Sequence, residues 1–147
     1  MMTSPKTLST ALACAAAALG APLLAHTQDA PVAIPLDGEQ VVGGVAVGCT
    51  GIGQEKDDPR WKAYPIRVEA ADRGGDLLAN MEIVLSGKGG AELARVTCAG
   101  PWIMLRPAPG AYRIEGWLQG GGPEHRIASV SPPSRGQRIV TLVFPRS

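Results

Sequence analysis

From Tyr64 onward, apolar and polar residues alternate in short runs separated by glycine- and proline-rich breaks. Tyr64, Ile66, Val68 and Ala70 share one phase and Pro65, Arg67 and Glu69 the other, the period-two pattern of a half-buried strand. Met81, Ile83 and Leu85 repeat it, and Ala94, Val96 and Cys98 form a returning strand after the turn at 87–90. Ile103-Met104-Leu105 is a continuous apolar run. Pro107 and Pro109 then interrupt any ladder, because proline has no backbone N–H, and Gly110 permits a sharp corner. Beyond the corner, Tyr112, Ile114 and Gly116 alternate with Arg113, Glu115 and Trp117. Strands are predicted at 125–130 and 137–144, with turns at 72–76, 119–123 and 131–136. Seven or eight short strands at this spacing predict an all-β sandwich.

The pattern upstream is weaker. Residues 41–48 read as a strand diluted by glycine, and 26–40 as a loosely ordered leader in which 32–36 lie along a sheet edge. Gly51-Ile52-Gly53 is no dinucleotide fingerprint, because no strand–helix unit surrounds it. Asp58 followed by Pro59 fits a helix cap and first helical position, predicting one short helical turn that ends before Pro65.

The first residues carry a different signal. A polar start with one cation, Lys6, precedes an uncharged Ala/Leu-rich stretch, as in a secretory signal peptide. A cut after Ala25 is the preferred reading, giving a 1–25 signal, a 26–40 leader and a 41–145 domain; cuts after Gly20 or Ala30 are alternatives. An uncleaved anchor and a lipid-modified Cys14 are competing readings, weakened by the alanine content and by the continuation of the apolar run past that cysteine. Cleavage would leave Cys49 and Cys98, and two cysteines in an exported domain predict one disulfide, with two free thiols as the alternative. Closing that loop of about 50 residues is worth roughly 4 kcal/mol on the chain-entropy model.

Composition narrows the class. With 45% hydrophobic residues, 147 residues suffice for one core, and 19 Gly and 13 Pro suit a loop-rich β domain. Lys6 is the only charged residue before Asp29, so its removal would balance the charges. No basic stripe with interleaved aromatics supports nucleic-acid binding. The expected location is periplasmic or secreted, with no stable membrane span after cleavage.

Four segments in order carry a family resemblance: Tyr64-Pro65-Ile66-Arg67-Val68, the strand from Met81 to the turn at Gly87, Gly100-Pro101-Trp102, and Pro107-Ala108-Pro109-Gly110-Ala111-Tyr112-Arg113-Ile114. Together they resemble the carboxypeptidase regulatory-like domain, a transthyretin-like, Ig-type sandwich, in its small exported Gram-negative form. The likeness spans roughly 41–145. The Pro-x-Pro-Gly-x-Tyr corner is its most specific part. Arg106 stands where the family commonly has Leu, and Ala108 interrupts the prolines. The resemblance implies a non-catalytic module and carries over no catalytic residue and no cofactor.

Candidate chemistry is sparse. His26 and His125 are the only histidines, and no Gly-x-Ser-x-Gly elbow is present. Asp57-Asp58 reads as solvated loop charge. A cut after Ala25 would make His26 the N-terminus, where its amine and imidazole could chelate Cu(II) with His125 as a third nitrogen and Tyr64 or Tyr112 nearby. That gives a periplasmic copper-binding protein as the alternative to a structural or adaptor module for an unknown envelope protein or glycan. For the adaptor, Trp117 is the candidate anchor because it falls on the outward phase of its strand. Trp102 is expected in the core or at the corner, and Trp61 over a loop or sheet end.

Overall fold

The computed structural model describes Gly20 and residues 30–145; the expected signal segment, the start of the leader and His26 lie outside the described residues. Eleven strands follow in order: β1 Val32–Ile34, β2 Glu39–Val42, β3 Val45–Thr50, β4 Ile66–Asp72, β5 Leu77–Leu78, β6 Met81–Ser86, β7 Glu92–Cys98, β8 Trp102–Arg106, β9 Tyr112–Leu118, β10 His125–Val130 and β11 Arg138–Phe144. They form a β-sandwich. One sheet has the order β1-β7-β6-β9-β10, and the other β11-β4-β8-β3-β2 with β5 paired to β4. β1 runs parallel to β7 and β11 parallel to β4; the other pairings are antiparallel.

The strand count exceeds the expected seven or eight for local reasons. The stretch at 41–48 is not one strand but the second half of β2 and the start of β3. Gly43 and Gly44, at φ 57° and 79°, supply the two left-handed residues of a tight hairpin turn between them. Residues 32–34 and 39–40, expected in the leader, are strands of the sandwich. β5 is too short to register as a pattern. Elsewhere the alternation holds, with Ile66, Val68, Ile83, Leu85, Val96 and Ile114 all facing the shared core.

The sheets converge at one corner. Facing sheets normally stand about 10 Å apart, yet the Cys49 and Cys98 Cα atoms are 5.5 Å apart and their sulfurs are bonded. Cys49 lies on β3 in one sheet and Cys98 ends β7 in the other, both shut off from solvent. Residues 99–101 carry the chain from β7 directly into β8, and so from one sheet to the other. A β-carbon on Gly100 would lie 2.3 Å from the Thr50 carbonyl oxygen, so only glycine passes there. The Asp37 turn closes the same corner. Asp37 N–H donates to the Cys49 carbonyl at 2.7 Å, Cys49 N–H to the Gly38 carbonyl at 3.1 Å, and the Thr50 hydroxyl to the Asp37 carboxylate at 2.7 Å. Thr50 is fully buried, so this last bond satisfies a hydroxyl that water cannot reach.

The proline corner is pinned: the Tyr112 hydroxyl donates to the Ala108 carbonyl four residues upstream. Tyr112 does this from the rim, half exposed, rather than from inside the core. This is the tyrosine-corner device of β-sandwiches.

Replacing both Cys49 and Cys98 with Ser should lower stability by about 4 kcal/mol in urea melts. Gly100→Ala should cost about 1–3 kcal/mol with the disulfide intact and distinctly less without it, because an unlinked corner can spread. Strict additivity in that double-mutant cycle would show that the disulfide does not hold the two backbones together.

Candidate binding site

The outer face of the six-stranded sheet carries a second, smaller apolar cluster. Residues 51–64 fold back over it through two 3-10 turns, Glu55–Asp57 and Pro59–Ala63. Asp58 caps the second turn by accepting the Arg60 N–H at 2.9 Å, with Pro59 as its first residue, as the sequence predicted. Trp61 is inserted beneath, its indole N–H donating to the Glu55 carbonyl at 2.8 Å. A β-carbon on Gly48 would stand 2.5 Å from the Trp61 ring, so the bare backbone of β3 makes the seat for the indole. Trp61, Tyr64 and Met104 are buried together, with Ala46 and Trp102 packed against them. Met104 and Leu105 are therefore buried on opposite faces of one strand, one under this cluster and one in the main core.

Arginines stack on these rings. The Arg60 guanidinium lies 4.4 Å from the Trp61 ring centre, that of Arg106 4.7 Å from Tyr64, and that of Arg67 4.2 Å from Trp102. Each is a cation–π contact that also extends the apolar surface. The Tyr64 hydroxyl donates to Glu39 Oε1. Burial, and then this bond to a carboxylate, push the Tyr64 phenol above the ordinary tyrosine range.

Beside the cluster runs an open groove of about 340 Å³. Trp61, Trp102, Met104 and Arg67 line it, Gln137 borders it, and Lys56, Asp57, Asp58 and Lys62 complete the lining. Gln137 braces it from just before β11, its amide donating to the carbonyls of Trp61 and Tyr64 at 2.9 and 3.0 Å. Trp102 Nε1 and Arg67 Nε are buried donors with no acceptor. Leaving a buried donor unmatched costs about 1–3 kcal/mol.

The sequence-predicted residues distribute as follows. Cys49 and Cys98 are bonded. Trp117 points outward as expected but is half-buried, its ring centre 5.6 Å from that of His125 on the neighbouring strand. The sheet it stands on is ion-paired, with Arg95 on Glu82 and Glu92 at 3.2 and 2.7 Å and Arg113 on Glu115 at 2.6 Å. His26 is outside the described residues. His125 has neither tyrosine beside it: Tyr112 pairs with Val130 at the far end of β10, and Tyr64 precedes β4 in the other sheet. Among the described residues no group of three His, Cys, Asp or Glu is placed to hold a metal. Asp57 and Asp58 are loop charges paired with Lys56 at 3.5 Å and Arg60 at 3.9 Å. The residues that the sequence reading passed over are Arg67, Lys62 and Gln137. The signal available for them was the continuous apolar run at 103–105, which implies cover on both faces of the strand.

No family model matches the chain, and no curated protein matches it in sequence.

The fold favours the neutral Tyr64 phenol. Its stabilisation is therefore complete below the ordinary tyrosine pKa of 10.0 and is lost as pH climbs from there toward the raised folded value. The urea midpoint of the wild type should fall between about pH 9 and pH 11 by more than that of Tyr64→Phe. An equal fall in both would show that Tyr64 titrates as freely in the folded chain as in the unfolded one.

Proposed function

We propose that the chain is an exported, non-catalytic β-sandwich module that binds a component of the cell envelope through the outer face of its six-stranded sheet. The observation that carries this reading is the groove beside Trp61 and Trp102, with Trp102 half-exposed on its wall and Lys62 exposed at its rim. On the opposite sheet Arg95 and Arg113 are ion-paired, whereas Lys62 at this groove has no ion pair among the described residues.

Three further points support the reading. A disulfide buried between the sheets suits an oxidising compartment, in line with the signal-like N-terminus. Among the described residues no helix is long and apolar enough to cross a membrane. The resemblance to carboxypeptidase regulatory-like domains implies recognition rather than turnover. No observation among the described residues favours the copper reading over this one.

Fluorescently labelled protein incubated with isolated envelope fractions tests the reading. Lys62→Glu, at an exposed groove position, should reduce retention several-fold, while Trp117→Ala on the other sheet should leave it unchanged. The reverse pattern would move the binding surface to Trp117.

A further inference from the structure

We propose that the end of the sandwich opposite the disulfide is a docking tip for an anionic lipid surface, held there by unpaired cations set around a patch of proline rings. This surface is separate from the groove beside Trp61 and Trp102, and neither reading depends on the other.

Strand direction and register define the tip. β2, β6, β8 and β10 end there and β3, β4, β7, β9 and β11 begin there, whereas Cys98 closes β7 at the other end. The connections at the tip are 43–44, 87–91, 107–111 and 131–137, and none contains Asp or Glu. Lys88, Arg106, Arg135 and Arg138 stand on or beside them, all exposed and none ion-paired among the described residues. Arg106 stacks on the Tyr64 phenol, which leaves its charge uncompensated. Glu92, at the start of β7, is already matched by Arg95 at 2.7 Å. The acids gather at the far end, where the connections carry Asp37, Asp57, Asp58, Asp76 and Glu124. The whole chain has a formal charge of only +1, so its attraction to an anionic surface comes from this separation of charge and orients the tip toward that surface.

The chemistry of the tip suits a headgroup layer. Two shallow hollows of about 350 Å³ each open on it. Pro65, Pro107, Pro109, Pro132 and Pro133 line one. Proline has no N–H, so the turns at 107–109 and 132–133 press against headgroups with few backbone donors to strip of water. The other is lined by Arg113, Ser129, Ser131 and Arg138, all exposed. Arg113 is held by Glu115, and the Arg138 guanidinium and the two hydroxyls are donors that phosphate oxygens accept. The layout favours a plane over a strand-like polyanion. The four unpaired cations come from the 87–91 turn, the end of β8 and the segment leading into β11, not from one strand or one groove. A layer of phosphates meets them together, and each cation near such a layer is worth about fivefold in binding.

Co-sedimentation of the chain, purified from the exported fraction, with two kinds of vesicle tests the proposal. One is phosphatidylcholine alone and the other equal parts phosphatidylcholine and phosphatidylglycerol. In dilute buffer the chain should sediment with the anionic vesicles, and about 0.3 M NaCl should release most of it. Arg135→Glu should weaken binding about tenfold or more. Arg73→Glu, the same change of charge at the opposite end, should leave it within about twofold. Thermal melts check folding, and Lys88→Glu on its exposed turn serves if Arg135→Glu does not fold. No binding at millimolar anionic lipid overturns the proposal, as does equal binding to neutral vesicles, because the apolar N-terminal stretch would then account for it. Equal losses in Arg135→Glu and Arg73→Glu also overturn it, since only net charge would matter. Release by inorganic phosphate beyond that by chloride at the same ionic strength overturns it too, by showing a site for single phosphate groups. Loss of envelope retention in Lys62→Glu, with vesicle binding intact in Arg135→Glu, rejects the tip and keeps the groove.

Discussion

The structure depends on the close approach of two backbones at the corner where β7 becomes β8. Three residues carry the chain between sheets, Gly100 passes against the Thr50 carbonyl, and the Cys49–Cys98 bond fixes the separation. The consequences run outward from this point. The Asp37 turn is tied to Cys49 and Thr50 by three hydrogen bonds. Its carbonyl in turn accepts from Arg60 at 2.7 Å, and Arg60 stacks on Trp61. Trp61 fills the hollow over Gly48 and lines the groove. A covalent link inside the core thus reaches the outer face through four successive contacts. Glu39, two residues beyond Asp37, holds Tyr64 in the same cluster.

The two outer faces are finished differently. On the five-stranded sheet, charges neutralise each other, Arg95 with Glu82 across β7 and β6 and the Arg95–Glu92 and Arg113–Glu115 pairs within single strands, and surface pairs of this kind add little stability. At the open side of the sandwich Arg126 bridges the sheets, donating from Nε to the Val143 carbonyl at 2.7 Å and so occupying an acceptor at the β11 edge. That is a common way to blunt an edge against further strand pairing. The six-stranded sheet, by contrast, is covered over only part of its outer surface. Where the 3-10 turns stop, the groove begins, with Trp102 half-exposed on its wall and Lys62 at its rim.

Much of the fold was legible in the sequence because its cues are local. Alternation marked β4, β6, β7 and β9, the Pro-x-Pro-Gly segment marked the corner, Asp58-Pro59 marked the capped turn, and the number of cysteines indicated their pairing. The misreading at 41–48 shows where local cues fail. Gly43-Gly44 weakens a strand and also makes an excellent two-residue turn, and only the pairing of Val42 with Val45 decides between the two. β1 and β5, at three and two residues, are too short for any periodicity. The groove was harder still. Its parts come from residues 56–62, from Arg67, from Trp102 and Met104, and from Gln137, and no short motif joins them. Trp117 stood out because outward phase is readable along a strand. The environment of Trp102, under the Arg67 guanidinium and open to a groove, is a property of neighbouring strands.

The most direct test of the whole account follows the three indole N–H resonances in two-dimensional ¹H–¹⁵N spectra as solubilised envelope extract is added. Trp102, the indole without an acceptor, should shift progressively and saturably. Trp61, already bonded to Glu55, should move little, and Trp117 on the opposite sheet should not move. A spectrum in which Trp117 moves while Trp102 stays fixed would contradict the account.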